Sequence, residues 1–231
     1  MVNGTGGRRP PPAGRRPPRR YGALGRLFNA GALILGLILA PGAMAASVKL
    51  LALGDSLTAG FGLPTGDGFT ARLQRALRAA GYDVTVVNGG VSGDTSAGGL
   101  ARLDWALADK PDAALVALGA NDALRALEPA QTEANLDRIL ARLKAAGVRT
   151  LLVGMLAPPN LGREYGAAFD AIYARLAERH GVPLYPFFLD GVAADAALNQ
   201  PDGIHPNAAG VAVVVARMLP AVTRLLDGLG R

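Results

Sequence analysis

The stretch VKLLALGDSLTAG, residues 48–60, joins a strand-like segment to a polar turn that carries a serine. Its first seven residues are almost continuously apolar, which is typical of a strand buried on both faces of a parallel sheet. Gly54, Asp55 and Ser56 follow directly, so the serine stands where the strand ends. Such a serine is either part of an ordinary turn or a nucleophile at the edge of a sheet.

Strand-like and helix-like segments alternate from residue 48 onward. Apolar runs predict strands over 48–54, 83–88, 112–119, 148–155 and 182–187. Apolar residues at helical spacing predict helices over 67–80, through Leu100, Leu103 and Leu107, and over 131–146, 164–180 and 207–227. Strict alternation favours a parallel sheet with helices on both faces. We therefore predict an α/β fold, a doubly wound three-layer αβα sandwich whose five-stranded, flavodoxin-like parallel sheet has the order 2-1-3-4-5.

The basic residues are concentrated at the N-terminus. The formal net charge is +6, but residues 1–45 hold seven arginines and no Asp, Glu or Lys. The remainder therefore carries 17 basic residues against 18 acidic ones. A nearly neutral body lacks the basic surface of a nucleic-acid-binding protein, so we expect no nucleic-acid partner.

Residues 1–45 resemble a signal peptide in their order of features. An Arg- and Pro-rich segment precedes the apolar run GALILGLILA (31–40), and Ala43-Met44-Ala45 offers small residues for cleavage. The apolar run is short for a membrane span, although an uncleaved anchor is the alternative. We expect a single domain over 46–231, periplasmic or secreted and monomeric, with no stable membrane span after processing. The absence of cysteine excludes disulfides and thiolate metal sites.

Four polar, glycine-punctuated loops follow the predicted strands or the last irregular stretch. They cover residues 54–56, 90–94, 119–122 and 202–206. Each loop alone has an ordinary explanation as a tight turn, an anion-binding turn or a helix cap. Loops at the carboxyl ends of parallel strands open on the same edge of a sheet, where such folds bind ligands. Their convergence therefore favours a functional site.

Histidine is scarce, which narrows the choice of a catalytic base. His180 precedes Gly181 at a predicted helix end, where an imidazole commonly supports the last carbonyl groups. His205 follows Asp202 by three residues, and a bend at Gly203 would let the two side chains meet. Serine hydrolysis needs a base for the hydroxyl proton and a group that orients that base. Ser56, Asp202 and His205 supply this set.

An acyl-transfer site also needs hydrogen-bond donors for the oxyanion of the tetrahedral intermediate. The natural candidates are the backbone N–H groups of Ser56 and Gly93 and the side-chain amide of Asn121. The second residue after Ser56 is Thr58, so the G-x-S-x-G elbow of α/β-hydrolases is absent.

The four loops together resemble the four motif blocks of the GDSL, or SGNH, hydrolase family. Its Ser, Gly, Asn and His correspond here to Ser56, Gly93, Asn121 and His205, with Asp202 completing the triad. The resemblance covers residues 48–227 and is strongest to bacterial members of the thioesterase, lysophospholipase and arylesterase type. It implies an exported serine esterase or thioesterase that acts on small acyl esters or thioesters, through an acyl-enzyme and without cofactor or metal.

Segments 123–129 and 156–162 are candidates for the walls of an acyl groove beside this site. The related branch often has glycine where this chain has Ala120, and alanine fits there unless φ is positive.

Two other functions are compatible with parts of the pattern. A metal-dependent phosphoester hydrolase would use Asp55, Asp202 and His205 as ligands. A binding module without catalysis would use the glycine-rich loop to hold a phosphate or another small anion, and it has no role for a Ser/Asp/His set.

Overall fold

A five-stranded parallel sheet organises the part of the chain described by the computed structural model, which is Met1 and residues 47–230. Apart from Met1, the predicted signal peptide lies outside the described residues. The strands are β1 (Val48–Gly54), β2 (Val84–Gly90), β3 (Ala113–Ala117), β4 (Arg149–Val153) and β5 (Leu184–Tyr185). Their order is 2-1-3-4-5 and every neighbouring pair is parallel. The predicted fold class and strand order are therefore confirmed.

Eight α-helices are present in the described residues, and a single 3₁₀ turn covers Pro159–Leu161. They are α1 (Ser56–Ala59), α2 (Phe69–Ala79), α3 (Ser96–Ala101), α4 (Leu103–Leu107), α5 (Ala120–Leu124), α6 (Pro129–Ala145), α7 (Arg163–His180) and α8 (Ala208–Asp227).

Two groups of helices cover the sheet. Helices α2 and α8 pack on each other, and α6 packs on both α3 and α7. The chain runs from β1 outward to β2 and then back past β1 to β3. Because crossover connections between parallel strands are right-handed, connections in opposite directions place the two groups of helices on opposite faces of the sheet. Residues Ala113–Ala117 of β3 are buried throughout, as a central strand covered on both sides requires.

Helix α8 is apolar and long enough, at 20 residues, to meet the length and composition of a membrane span. Val214, Met218 and Val222 of this helix are nevertheless buried in the core. An apolar stripe of this kind is also what a core-facing helix needs.

The predicted elements differ from the observed ones mainly at their ends, where boundaries are least determined. The fifth strand has only two residues, Leu184–Tyr185, rather than the six predicted over 182–187. The helix expected through residues 100–107 is divided at Arg102, which belongs to neither half. The short helices α1 and α5 were not predicted, and both begin at the loops that carry the candidate site residues.

Candidate active site

Ser56 is the first residue of α1, directly after the end of β1. The preceding residue, Asp55, caps this helix because its Oδ1 accepts the backbone N–H of Leu57 at 3.0 Å. The helix lasts one turn and ends at Gly60, which has the left-handed backbone conformation. The end of β1 therefore fixes the position of Ser56, and the Asp55 cap fixes the direction in which the chain turns after the strand.

His205 lies between Ser56 and Asp202. Its Nε2 is 2.9 Å from the Ser56 Oγ, and its Nδ1 is 2.7 Å from the Asp202 Oδ2. Gly203, with φ of 74°, makes the bend that brings residues 202 and 205 face to face. The other carboxylate oxygen of Asp202 accepts the backbone N–H groups of Ile204 and His205, each at 3.0 Å. The three residues predicted as a triad are thus in hydrogen-bond contact.

The electrostatics of Asp202 follow from these contacts. The hydrogen bond from the His205 side chain, together with those from the two backbone N–H groups, lowers the pKa of Asp202 to about 2. The carboxylate is therefore ionised at neutral pH. An ionised partner at Nδ1 holds the imidazole in the tautomer that leaves Nε2 free to accept the Ser56 proton.

The Gln200 side chain joins the loop that carries His205 to the loop that follows Ser56. Its Nε2 donates to the carbonyl oxygens of Phe61 at 2.8 Å and Pro206 at 3.0 Å. The Gln200 backbone N–H donates to the His205 carbonyl at 2.7 Å. The Phe61 ring in turn packs on the His205 imidazole, with ring centroids 4.6 Å apart. Both loops are therefore fastened on either side of the Ser56–His205 contact.

Asn121 lies on α5, at the carboxyl end of β3. Its Nδ2 donates to the Asp55 Oδ2 at 3.3 Å, and this bond uses one of the two hydrogens of the amide. Asp55 is fully buried, and burial raises its pKa to about 6, although the hydrogen bonds from Leu57 and Asn121 act in the opposite direction. Asp55 therefore links the turn of the nucleophile to the amide of Asn121.

Gly93 lies in the loop after β2 and has a φ of 82°. Its carbonyl accepts a hydrogen bond from the Arg125 Nη2 at 2.8 Å. The next residue, Asp94, forms a 2.6 Å ion pair with Arg102, and the same guanidinium donates to the Gly54 carbonyl at 2.9 Å. This loop is therefore tied both to the end of β1 and to the loop after β3.

Asp122, which follows β3, forms buried hydrogen bonds with a residue of α3 and a residue of α6. Its two carboxylate oxygens accept the backbone N–H of Ser96 at 2.7 Å, the Ser96 hydroxyl at 2.5 Å and the Thr132 hydroxyl at 3.2 Å. All three side chains are buried. A carboxylate in such a place is tolerated because it accepts three hydrogen bonds, and these bonds anchor the start of the helix on which Asn121 also lies.

A cleft of about 450 Å³ opens beside Ser56. The lining combines the polar side chains of Ser56, Asn121 and His205 with a predominantly apolar wall. That wall includes Leu124, Met155, Leu156, Pro158, Phe187, Leu189 and Ile204. Parts of both segments predicted as groove walls, 123–129 and 156–162, line it. Gly93 does not, so its assignment as an oxyanion donor stays a prediction.

His180 is held by a side chain instead of by helix carbonyls. Its Nε2 is 2.9 Å from the Asp137 Oδ1 on the neighbouring helix α6, and the imidazole is largely buried. This hydrogen bond is the main reason why the pKa of Asp137 is lowered. The interpretation of His180 as a structural residue is retained, but the expected partner was wrong because sequence alone did not show how α6 and α7 pack.

The three residues suggested as metal ligands, Asp55, Asp202 and His205, are not arranged around a common point. Within residues 47–230, no group of three His, Asp or Glu side chains is arranged to hold a metal ion. The Asp55 carboxylate is buried and directed at Leu57 and Asn121, whereas Asp202 lies against His205.

Sequence reasoning did not identify the supporting residues. The sequence pattern indicates a role for Asp55 only as a metal ligand, and it does not single out Asp122, Gln200 or Arg102. A buried Asp directly before the serine carried a usable signal, since Asp is a preferred N-cap. The contact between Gln200 and Phe61 joins residues 139 positions apart and had no local signal. Ala120 is not among the described non-glycine residues with positive φ, so alanine fits at that position.

Comparison with known proteins gives a consistent result. Residues 52–213 match the GDSL-like lipase/acylhydrolase family. The chain is 44% identical to the esterase TesA of Pseudomonas aeruginosa over 183 residues, 79% of this chain and 91% of that protein. It is 45% identical to thioesterase 1/protease 1/lysophospholipase L1 of Escherichia coli strain K12 over 164 residues, 71% of this chain and 77% of that protein.

A solved structure shares both the fold and much of the sequence. AlinE4, an esterase of the SGNH-hydrolase family, superposes with a TM-score of 0.67 at 47% sequence identity. The match covers 79% of this chain and 98% of AlinE4.

Proposed function

We propose that this chain, which belongs to the GDSL-like lipase/acylhydrolase family, cleaves its substrate through an acyl-enzyme formed on Ser56. The enzyme is a serine hydrolase of ester or thioester bonds, as its family and its esterase and thioesterase relatives indicate. The observation that carries the proposal is the pair of contacts made by one imidazole. The His205 ring lies 2.9 Å from the Ser56 hydroxyl and 2.7 Å from the Asp202 carboxylate.

These contacts support a conventional order of proton transfers. The Ser56 oxygen attacks the substrate carbonyl carbon while its proton passes to the His205 Nε2. The Asp202 carboxylate stabilises the imidazolium that results. When the tetrahedral intermediate collapses, the bond to the alcohol or thiol breaks and the leaving group takes the proton from His205. Water then attacks the acyl-Ser56 ester with the same histidine as base, which releases the acid and restores the serine.

Three donors are proposed for the oxyanion, namely the N–H groups of Ser56 and Gly93 and the amide of Asn121. Neither backbone N–H donates to another group within residues 47–230, which leaves both available. One hydrogen of the Asn121 amide is bound by Asp55 and the other is left for the substrate. A donor held in place before the reaction stabilises the charge that develops without a reorganisation cost.

The cleft supports an acyl chain as the group that is bound. Asp55 and His205 are the only ionisable residues among those that line it, and its wall otherwise consists mainly of apolar side chains such as Met155, Leu156 and Leu189. Such a surface gains from contact with hydrocarbon and offers no charged partner to a polar acyl group. We therefore propose aryl esters, lysophospholipids and acyl thioesters as the substrate classes.

We also propose that the enzyme acts outside the cytoplasm. The support is the order of the Arg-rich segment, the apolar run 31–40 and Ala43-Met44-Ala45. Mass spectrometry of the protein from the periplasmic fraction is expected to give a chain that begins at or near Ala46. An intact Arg-rich N-terminus in that fraction contradicts this part of the proposal.

Labelling with a fluorophosphonate probe tests the nucleophile, because an activated serine attacks such a phosphorus centre. Ser56→Ala is expected to abolish labelling and ester hydrolysis. The matched control is Ser92→Ala, which removes an exposed hydroxyl from the neighbouring loop after β2 and is expected to leave labelling intact. Persistent labelling of Ser56→Ala, together with loss of labelling in Ser92→Ala, would identify Ser92 as the nucleophile and refute the assignment of Ser56.

A further inference from the structure

The exposed apolar side chains are unevenly distributed over the surface. Within residues 47–230, six large apolar side chains are exposed, and only Trp105 lies away from the loops at the carboxyl end of the sheet. The other five are each 45–51% exposed, and they are Phe61, Val91, Leu124, Leu156 and Ile204. Four of them follow β1, β2, β3 and β4 respectively, and the fifth precedes His205. We call these five residues the apolar ring.

Members of the apolar ring lie close to Ser56 or to the ends of the strands beside it. Leu124, Leu156 and Ile204 line the same cleft as Ser56. The Phe61 ring packs on His205, which is the next residue after Ile204. Val91 is fixed to the end of β1, because its N–H donates to the Gly54 carbonyl at 3.1 Å. Three of the five side chains therefore line the active-site cleft, Phe61 packs on its histidine, and Val91 lies on the loop that follows the neighbouring strand β2.

The segments that carry the apolar ring have little net charge. Within two residues of each ring member, the exposed charged side chains are Arg125 and Asp202, and Asp122 is buried. One positive and one negative charge give no attraction to a surface of either sign. An apolar surface of this kind matches an uncharged or zwitterionic partner.

We propose that the apolar ring docks the enzyme on a neutral lipid–water interface, so that an acyl chain passes from the lipid aggregate into the cleft without crossing water. This inference rests on the proposed function, because it supplies that site with lipid substrates. Three of the ring residues are also cleft residues, so the apolar path from the interface to Ser56 is continuous. Side chains that enter the boundary between headgroups and acyl chains bind through the apolar area that they bury.

A second copy of the chain is a weaker candidate for this surface. With about half of each side chain exposed, the ring offers on the order of 400 Å² of apolar surface, against the ~800 Å² per partner buried in a standard protein interface. A lipid surface needs no complementary partner shape, and the strength of its binding grows with the apolar area that is buried.

The single tryptophan of the chain allows a local test. Trp105 is 73% exposed and lies on α4, outside the apolar ring, so the native protein is the matched control. The test variant combines Val91→Trp with Trp105→Phe, which moves the only tryptophan into the ring. Both proteins carry Ser56→Ala, so that no lipid is hydrolysed. Each is mixed with phosphatidylcholine vesicles whose acyl chains are either ordinary or bromine-substituted, and tryptophan emission is recorded.

The ring tryptophan is expected to shift its emission to the blue on vesicle addition and to lose intensity with brominated chains, while Trp105 changes in neither respect. An unchanged ring tryptophan overturns the proposal, even where the N-terminal segment holds the protein on the vesicle. Equal changes at both positions overturn it too, because they indicate non-specific adsorption. A shift that depends on protein concentration without vesicles assigns the ring to a second copy, and a requirement for anionic phosphatidylglycerol refutes the neutral interface.

A second reporter protects the test against a folding defect. Phe61→Trp with Trp105→Phe places the tryptophan in a different ring loop, and circular dichroism checks that each variant is folded. Because the proteins carry Ser56→Ala, the result does not depend on turnover. Hydrolysis of a short water-soluble ester by the unmodified chain tests the proposed function separately. An active enzyme whose ring reporters stay in water would refute only the docking.

Discussion

Asp55→Asn is the most informative single substitution, because it removes a buried charge without changing the shape of the side chain. Burial raises the pKa of Asp55 from 3.8 to about 6, a shift of about 2 units. At about 1.4 kcal/mol per unit, the ionised carboxylate lowers the free energy of unfolding at neutral pH by about 3 kcal/mol. The folded state holds the proton of Asp55 more tightly than the unfolded state does. The stability that this group contributes is therefore present below pH 4 and is lost as the pH rises through about 6.

The expected result is a pH-dependent difference between the two proteins. The free energy of unfolding of Asp55→Asn, minus that of the unmodified chain, should rise by about 2 kcal/mol between pH 4 and pH 7, since part of the full difference is already present at pH 4. The substitution also disturbs the hydrogen bonds to Leu57 and Asn121, since an amide presents only one acceptor oxygen. That loss, about 1 kcal/mol per bond, is independent of pH and moves the whole difference curve without changing its slope.

Urea unfolding at intervals between pH 4 and pH 8 measures this difference at constant ionic strength. Asp202→Asn is the matched control. The pKa of Asp202 is lowered to about 2, so its contribution is present above pH 4 and is lost only as the pH falls toward 2. Above pH 4 the Asp202 carboxylate itself adds no slope, so any slope of the control difference reports the loss of a negative charge beside the His205 imidazole. A flat difference for Asp55→Asn would refute the inference that burial of its charge destabilises the fold.

Activity is expected to change in the opposite direction from stability. Asp55 holds the Asn121 amide at 3.3 Å, and a neutral amide at position 55 holds it less firmly. Above about pH 6, where Asp55 is ionised in the unmodified chain, we expect kcat to fall by less than the roughly 10²–10³ that follows removal of an oxyanion donor outright, with KM changed little. Steady-state kinetics on a soluble ester, corrected for the folded fraction, measure this loss. An unchanged kcat would mean that Asp55 does not position Asn121.

Four further substitutions test the other assignments. His205→Ala should reduce kcat by several orders of magnitude, whereas His180→Ala should keep kcat and lose about 1 kcal/mol of stability with its hydrogen bond. Equal loss of turnover in both variants, at equal folded fraction, would refute the assignment of His205 as the base. Asn121→Ala should lower kcat by about 10²–10³ with KM within a few-fold. A variant that loses thermal stability but keeps its kcat would show that Asn121 only caps the following turn. Gln200→Ala removes two hydrogen bonds, so it should lose about 2 kcal/mol of stability and lower kcat more than it raises KM, and an unchanged kcat would contradict its positioning role.

The sequence predicted the architecture well because the relevant signals are local. Continuous apolar runs mark strands buried on both faces, as the burial of β1 and β3 shows. The predicted fifth strand was too long because only Leu184–Tyr185 pairs with β4. An apolar run cannot reveal where strand pairing stops, since that depends on the neighbouring strand.

The residues of the candidate site also differ in whether a local signal predicts them. Ser56, Asp202 and His205 could be predicted because chemistry demands a nucleophile, a base and an orienting acid, and only two histidines were available. The residues that hold this set were not predictable. Gln200 contacts Phe61, which is 139 residues away, and Asp122 contacts Ser96, which is 26 residues away, so neither contact follows from local spacing.

The two buried aspartates at the edge of the sheet illustrate how stability and activity depend on the same groups. Asp122 is surrounded by three donors at 2.5–3.2 Å, whereas Asp55 has two contacts, one of them at 3.3 Å. The second carboxylate is therefore less completely compensated for the loss of water, and it is the one that lies beside the nucleophile. Selection for thermal stability alone should then enrich neutral residues at position 55 before it changes position 122. Those stabilised variants should be poor esterases, because the charge that destabilises the fold is the charge that holds Asn121.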